Sequence, residues 1–467
     1  MGSLEGLLQQ AAGEPLKLLR STKWHINRPG KNESRRIIPQ IPYEFSTWPR
    51  EMRAWRETVA LLDQTHHMTG AFVSGPDALK FFSHLACNKL ESSTPNRAHQ
   101  IVCCNEDGYL IGDGILFHLA KGEFSVYGAP FVAHWIQYQA TQKKFDVKVT
   151  PDPPSPIYAN GYANERPDCR YQIQGPNAAR LIDKLNGGPL GDVKFFHMTE
   201  MTIAGHQCRA LRHGMAGTPG LEIWAPWKHR DAIRNAILEA GEEFGIVAVG
   251  AAAYVCSALE SGWIHAVLPA IFAPGMKSYR ESIADNDVES LLTVSGSYES
   301  DRIEDYYRTP YGVGYGHIVH LDHDFIGRDA LRLVDPAKER KKVTLLWNVE
   351  DACKVFAAML DPRGGDYRYL HLPFVNDKFD MVYDKLTIGS KLVGISHYTG
   401  ISANERSLLS LATVDQDVEF GTEVVLHWGE AGGGYGPGQV SPTKVIPVRT
   451  TVSPAPYSVV ARTEYRK

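Results

Sequence analysis

Little in this chain signals a disulfide scaffold, a metal ribbon or a membrane protein. Seven cysteines are spread over 467 residues, an odd number with no CxxC pair, which argues against both a disulfide framework and a zinc ribbon. Most are expected to be buried thiols acting as small hydrophobes. No apolar run has the length needed to span a bilayer. The formal net charge is −4, so the basic footprint of a nucleic-acid binder is missing, and neither nucleic acid nor membrane is expected as a partner. The segment Met1-Gly-Ser-Leu-Glu-Gly lacks the charged and apolar regions of a signal peptide and the Ser/Thr of a myristoylation signal. The cytosol (cytoplasmic localisation) is therefore the expected compartment. Also absent are a Walker motif, a G-x-S-x-G elbow and an H-E-x-x-H helix.

What remains is an ordinary globular composition, 43% hydrophobic and 22% charged, long enough for two or three domains. The stretch His213 to Trp224 organises the reading. Gly214, Gly217 and Gly220 free its backbone, and Thr218-Pro219-Gly220 reads as a tight turn with the last glycine at positive φ. Leu221, Ile223 and Trp224 then read as a strand interrupted by Glu222. A carboxylate there is costly to bury without donors, so the segment alone favours an exposed glutamate on an edge strand. A flat heterocycle with an amidine-like N–H pair is the alternative.

Other segments follow the same α+β logic. Lys17 to Arg36 is basic and reads as a solvated segment, or as a flap over an anionic substrate. Leu61-Leu-Asp-Gln-Thr-His-His-Met68 is a strand end entering a loop, where adjacent histidines face opposite ways. Asp77 is a plausible N-cap for a helix from Ala78 to Leu85. Ile101 to Leu119 reads as a hairpin turning at Asn105-Glu-Asp-Gly108. Its return strand carries Asp113 between two glycines, a mark of close approach by a ligand or another backbone. Pro151 to Pro156 is a breaker cluster. Tyr171 to Pro176 is a strand and turn, and Trp227 to Gly245 an amphipathic helix with Ile233, Ile237, Ala240 and Phe244 on one face. Tyr254 projects from an alanine-rich stretch. It is either a core tyrosine or a proton donor. His317, His320 and His323 are read on a strand, where they cannot share a face, so a metal site is rejected. From Lys341 onward the pattern is strand-rich.

Several of these segments together resemble the folate-dependent aminomethyltransferase superfamily, that of the glycine cleavage T-protein. Leu62-Asp-Gln-Thr-His-His-Met68 is similar to its D-x-S-H-M segment with one residue inserted. Ile111-Gly-Asp-Gly114 resembles a strand ending in paired aspartates, of which Asp113 survives. Ile173-Gln-Gly-Pro176 resembles its Q-G-P turn, Gly214 to Ile223 its Y-T-G-E-x-G-x-E segment, and Leu259-Glu-Ser-Gly262 its L-E-A-G segment. Pro310 to Leu331 resembles the linker into its third domain. The chain departs from it at Tyr254 and Ala258, where the T-protein carries arginines. The whole pattern is most similar to tetrahydrofolate-dependent O-demethylases of lignin-derived methoxybenzoates, of the syringate and vanillate/3-O-methylgallate types. The vanillate type carries an arginine at Ala129 and a tyrosine at Ile38, and their loss suits a larger, dimethoxylated ring.

The resemblance implies an α+β, three-domain cloverleaf of the T-protein type around a central folate channel, with a β-rich C-terminal domain. Residues 1–66 with 157–300 would form the folate-binding domain, 67–156 a second α+β domain, and 301–467 the linker and C-terminal domain. It implies methyl transfer from a small aromatic acid to tetrahydrofolate, with no metal. Tyr254 and His67 would be catalytic, Gln64, Ile38 and Ala129 would contact the substrate, and Glu222, Asp113 and Trp263 would hold the folate. Vanillate-type demethylation, T-protein-like aminomethyl transfer, sulfonium demethylation and non-enzymatic folate binding remain alternatives. The last would carry a K-G-C-Y-x-G-Q-E-like segment, which is absent.

Overall fold

The computed structural model describes residues 2–20, 41–66, 68–152, 165–374, 380–432 and 443–464. Alternation of side chains along the strands explains how its first sheet is built. Six strands lie in the spatial order Ile246–Val249, Val59–Asp63, Asp168–Gln174, Gly220–Pro226, His206–Arg212 and Met198–Ile203. All neighbours are antiparallel except the first pair. The odd-numbered Val59, Leu61, Tyr171, Ile173, Leu221 and Ile223 pack against the helices Ala178–Asn186 and Arg230–Gly241. Period two then turns Leu62, Gln172, Gln174 and Glu222 to the opposite face, towards the middle of the molecule.

A second sheet holds Arg97–Cys104, Leu110–Ala120, Glu123–Gly128, Thr69–Ser74 and Lys148–Pro151 in that order. The expected hairpin forms around Asn105, whose side-chain oxygen accepts the N–H groups of Asp107 and Tyr109. Of the glycines flanking Asp113, Gly114 makes room for the neighbouring backbone, a Cβ there standing 2.9 Å from the Tyr127 carbonyl oxygen, and Gly112 for the Val132 side chain, also at 2.9 Å. The third unit is a closed barrel of Lys341–Trp347, Ser407–Val414, Lys391–Ser402, Asp384–Ile388, Glu423–Trp428 and Ile446–Ser453. Closure leaves no edge strand unpaired. The T-protein type of α+β architecture expected from the sequence is present, and its β-rich C-terminal part is this barrel.

The helix Ala251–Ser261 joins these units. It is apolar all round and buried on nearly every residue, as a core helix must be. It begins at Gly250, whose N–H donates to the buried Glu51 carboxylate at 2.8 Å. It ends at Gly262, in the left-handed conformation that closes a helix. Its Glu260 accepts from Trp55 Nε1 at 2.9 Å, Ser402 Oγ at 2.6 Å, Asn404 Nδ2 at 3.0 Å and Arg56 Nη2 at 3.3 Å. One buried carboxylate thus ties the helix Trp48–Glu57 and the barrel strand Lys391–Ser402 to the central helix.

Some local expectations are corrected. The stretch holding His317, His320 and His323 is a run of turns, because it wraps the second sheet instead of joining it. His323 Nε2 lies 3.2 Å from the Ala86 carbonyl, and its ring stacks on Phe325. Asp77 stands at the start of its helix without capping it; its carboxylate takes the Asp146 N–H and Lys80 instead. Six of the seven cysteines are buried, and Cys353 is exposed. Among the described residues no helix is long and apolar enough to cross a membrane.

Candidate active site

The loop before the strand Gly220–Pro226 is shaped by two glutamines of the neighbouring strand. Gln172 Nε2 donates to the His213 carbonyl at 2.8 Å, and its Oε1 accepts from Met215 N at 3.2 Å. Gln174 repeats the pattern, donating to the Thr218 carbonyl at 2.7 Å and accepting from Ala216 N at 3.3 Å. Both glutamines are fully buried. The positive φ in this loop falls on Gly217, at 66°, and not on Gly220 as the turn reading expected. Gly220 is needed for space: a Cβ there would stand 2.1 Å from the Ile173 carbonyl oxygen.

Glu222 corrects the exposed edge-strand reading. Its strand lies inside the sheet and the residue is 7% exposed. The donor that makes this burial tolerable is Arg170, whose Nη1 is hydrogen-bonded to Glu222 Oε1. The guanidinium carbon also lies 3.6 Å from the centre of the Tyr127 ring. Arg170, Gln172 and Gln174 form one polar row on the strand Asp168–Gln174. That alternation with Tyr171 and Ile173 was visible in the sequence, although its role was not assigned.

Between the central helix and the second sheet lies a cavity of about 90 Å³. Tyr254, Asp113, Trp263 and Ala129 all line it. Ala129 starts the helix Pro130–Thr141 and presents only a methyl group to the cavity. Asp113 is held by three donors, Gln100 Nε2 at 2.9 Å, the Tyr315 hydroxyl at 3.1 Å and Trp263 Nε1 at 3.2 Å. Burial pushes its carboxyl up, and these donors pull it back. Gln100 and Tyr315 are contributors that no sequence motif indicated. Gln100 comes from the partner strand of the same hairpin, whereas Tyr315 lies 202 positions away and only the fold brings it to Asp113.

Tyr254 is 1% exposed. Burial pushes its hydroxyl well above the ordinary range, against hydrogen bonding with Gln64. It therefore stays protonated at any physiological pH. Gln64 in turn donates from Nε2 to Gln172 Oε1 at 3.0 Å. Gln64 and Glu222 stand outside the cavity lining, one layer back. Of the two adjacent histidines, His66 is buried with its ring against Trp227, away from Met68, which lines the cavity. Burial and then Arg166 bring the His66 imidazole down to about 4, so it is neutral. His67, Ile38 and the basic segment from Lys23 to Arg36 lie outside the described residues.

The arrangement combines a largely apolar cavity, a protonated tyrosine on its wall and an anchored carboxylate on the facing sheet. Two buried glutamines carry the adjoining loop. Such a site can align a flat ligand and hydrogen-bond a departing oxygen.

Known proteins agree with this geometry. The family described as GCVT N-terminal domain matches residues 38–267. Syringate O-demethylase from Sphingobium sp. (strain NBRC 103272 / SYK-6) is 37% identical over 432 residues, 92% of each chain. Sesamin methylene transferase from Sinomonas sp. (strain No.22) is 27% identical over 439 residues, covering 89% of this chain and 90% of the relative. Among solved structures, glycine cleavage system aminomethyltransferase T from Bartonella henselae superposes with a TM-score of 0.60 at 17% identity, over 90% of this chain and 91% of that one, which shows a shared fold. The fold, the cavity and these relatives together place the chain in the tetrahydrofolate-dependent aromatic O-demethylase family of the glycine cleavage T-protein superfamily.

Proposed function

We propose that this protein removes a methyl group from a lignin-derived methoxybenzoate, syringate in preference to vanillate or 3-O-methylgallate. Tetrahydrofolate takes the methyl group, and the products are 5-methyltetrahydrofolate and the free phenol. The observation that carries this reading is Tyr254: its hydroxyl-bearing side chain lines the same cavity as Asp113 and Trp263. The T-protein pattern has an arginine at that position.

The residues present suit a reduced folate. The cavity is mostly apolar with a few convergent polar groups, as pockets for flat ligands are. Asp113 and Trp263 would hold the bound folate directly, and Glu222 would anchor the pterin from behind the loop that Gln172 and Gln174 carry. Tetrahydrofolate supplies the nucleophilic nitrogen that accepts the methyl group.

An aryl methyl ether resists cleavage because a phenolate leaves poorly towards a neutral nucleophile. The protein can answer in two ways. Rigid walls align the ether with its acceptor, and positioning of this kind lowers a barrier by roughly 7–11 kcal/mol in the best cases. Tyr254, kept protonated by burial, donates to the departing oxygen, and a placed acid contributes about 10²–10⁴-fold. His67 completes this acid pair, Gln64 orients the tyrosine, and Ile38 and Ala129 leave room for a second methoxy group. The chain is accordingly divided into a folate-binding domain of 1–66 and 157–300, a second domain of 67–156, and a linker with C-terminal domain of 301–467.

The test is incubation with tetrahydrofolate and a panel of methoxybenzoates, reading methylated folate and free phenol. Methylated folate from syringate supports the proposal. Release of formaldehyde equivalents from an aminomethylated lipoyl carrier, with no methylated folate, would replace it by aminomethyl transfer.

A further inference from the structure

We infer that His265 recognises the carboxylate of the aromatic acid, an inference that rests on the demethylase reading. The chain leaves the central helix at Gly262 and continues outside any helix or strand up to Pro269. Trp263, Ile264, His265 and Val267 all line the cavity, the buried Ile264 among them, while Ala266 and Leu268 are buried in the core. His265 therefore borders the same space as Tyr254.

Two aromatic neighbours fix the ring. Its centre lies 5.3 Å from that of Trp263 and 4.5 Å from that of Tyr398, which meets it edge-on. The Tyr398 hydroxyl donates to the carbonyl of Val255 at 3.1 Å, next in sequence to Tyr254. Through Tyr398, then, the imidazole is held in register with the helix that carries the tyrosine.

Charge makes the assignment. Among the described residues lining the cavity there is no lysine and no arginine. Asp113 is negative when ionised and is occupied by three donors. Ala129 leaves no cation at the position where the vanillate-type pattern carries one. A carboxylate brought between apolar walls needs a hydrogen-bonding partner, preferably a charged one. His265 is the described lining side chain able to carry positive charge, and in its neutral form it still offers an N–H donor. The folate's own glutamyl carboxylates share this chemistry, so the experiment must separate the two sources.

The experiment compares wild type with His265→Gln on syringate and on the matching dimethoxyphenol that lacks the carboxyl group, and measures KM for tetrahydrofolate as well. The ratio of KM for the acid to KM for the neutral phenol is expected to rise about 10–100-fold, as loss of a hydrogen bond to a charged group implies, with KM for tetrahydrofolate little changed. His265→Lys, which restores a positive charge, is expected to bring that ratio back towards the wild-type value. It also serves as the second variant should the glutamine form fold poorly. An equal rise for acid and neutral phenol, or a rise confined to tetrahydrofolate, overturns the assignment and leaves the demethylase reading standing. If wild type methylates no folate from any methoxyarene, both fall together.

Discussion

The side-chain amide of Gln64 donates to that of Gln172 at 3.0 Å. This bond connects two parts of the site that are far apart in sequence. Gln64 is the hydrogen-bonding neighbour of Tyr254, and Gln172 carries the loop from His213 to Met215. Tyr254 and the loop from His213 to Met215 are therefore set by one buried amide chain, and a change at either end should be felt at the other.

Tyr254→Phe removes the hydroxyl and little else from a buried position. Turnover is expected to fall about 10²–10⁴-fold, the usual contribution of a placed acid. Folate affinity, measured by calorimetry, should stay close to wild type. Near-normal turnover would remove the tyrosine from the chemistry.

Gln172→Leu would leave the His213 carbonyl, the Met215 N–H and the Gln64 amide without their partner. Each buried unpaired group costs about 1–3 kcal/mol. Chemical denaturation should show that loss, and proteolysis should begin at the loop from His213 to Thr218. A folded variant with an unchanged cleavage pattern would show the loop is held by other contacts.

Glu222→Ala strands the buried Arg170 charge. Breaking a buried pair from one side typically costs about 3–5 kcal/mol. Adding Arg170→Met should recover much of that stability without recovering folate affinity. If the double variant binds folate like wild type, Glu222 serves the sheet alone.

Glu260→Ala would leave Trp55, Ser402, Asn404 and Arg56 without their common acceptor. The expected loss is again about 3–5 kcal/mol, since a buried, multiply bonded carboxylate is removed from among its donors. Scanning calorimetry should show the barrel and the central helix no longer unfolding as one transition. An unaltered single transition would place the clamp elsewhere.

Stability should also fall in mildly alkaline solution. Burial by itself lowers the His134 imidazole, but Glu289, at 2.8 Å, and then Asp287 outweigh it and hold the group up to about 9, against 6.5 for a free histidine. A group whose folded value is raised contributes fully below its unfolded value. The contribution of this pair is therefore complete below about pH 6.5 and is lost as pH rises through about 9. Denaturant midpoints across that window should drop in wild type and stay flatter in His134→Gln. Parallel curves would assign the pH dependence to other groups.

How far the sequence reached can be seen at particular residues. The hairpin at Asn105, the strand carrying Asp113, the helix after Trp227 and the small-residue setting of Tyr254 were all legible, because turn chemistry and side-chain period are local properties. The turn at Thr218-Pro219-Gly220 was legible in outline and wrong in detail: the positive φ falls on Gly217, and Gly220 is there to make room for the Ile173 carbonyl. Glu222 was misplaced at an edge because its partner, Arg170, comes from a neighbouring strand 52 residues earlier. The polar row Arg170, Gln172 and Gln174 was in plain view, but alternation says which side chains share a face and not what that face meets.

By itself, the sequence determined the class of the protein: alternating strands, amphipathic helices and a set of segments that together resemble one folate-using family. Those are decided by short-range sterics and by hydrophobic period, which each segment carries within itself. The tertiary structure alone decided that Asp113 would be met by Tyr315 and Trp263, that Glu260 would tie the helix Trp48–Glu57 and the barrel to the central helix, and that His265 would line the cavity together with Tyr254. Those contacts join residues tens to hundreds of positions apart, and whether a buried charge finds its partner depends on how the sheets and the central helix pack, which no local pattern encodes.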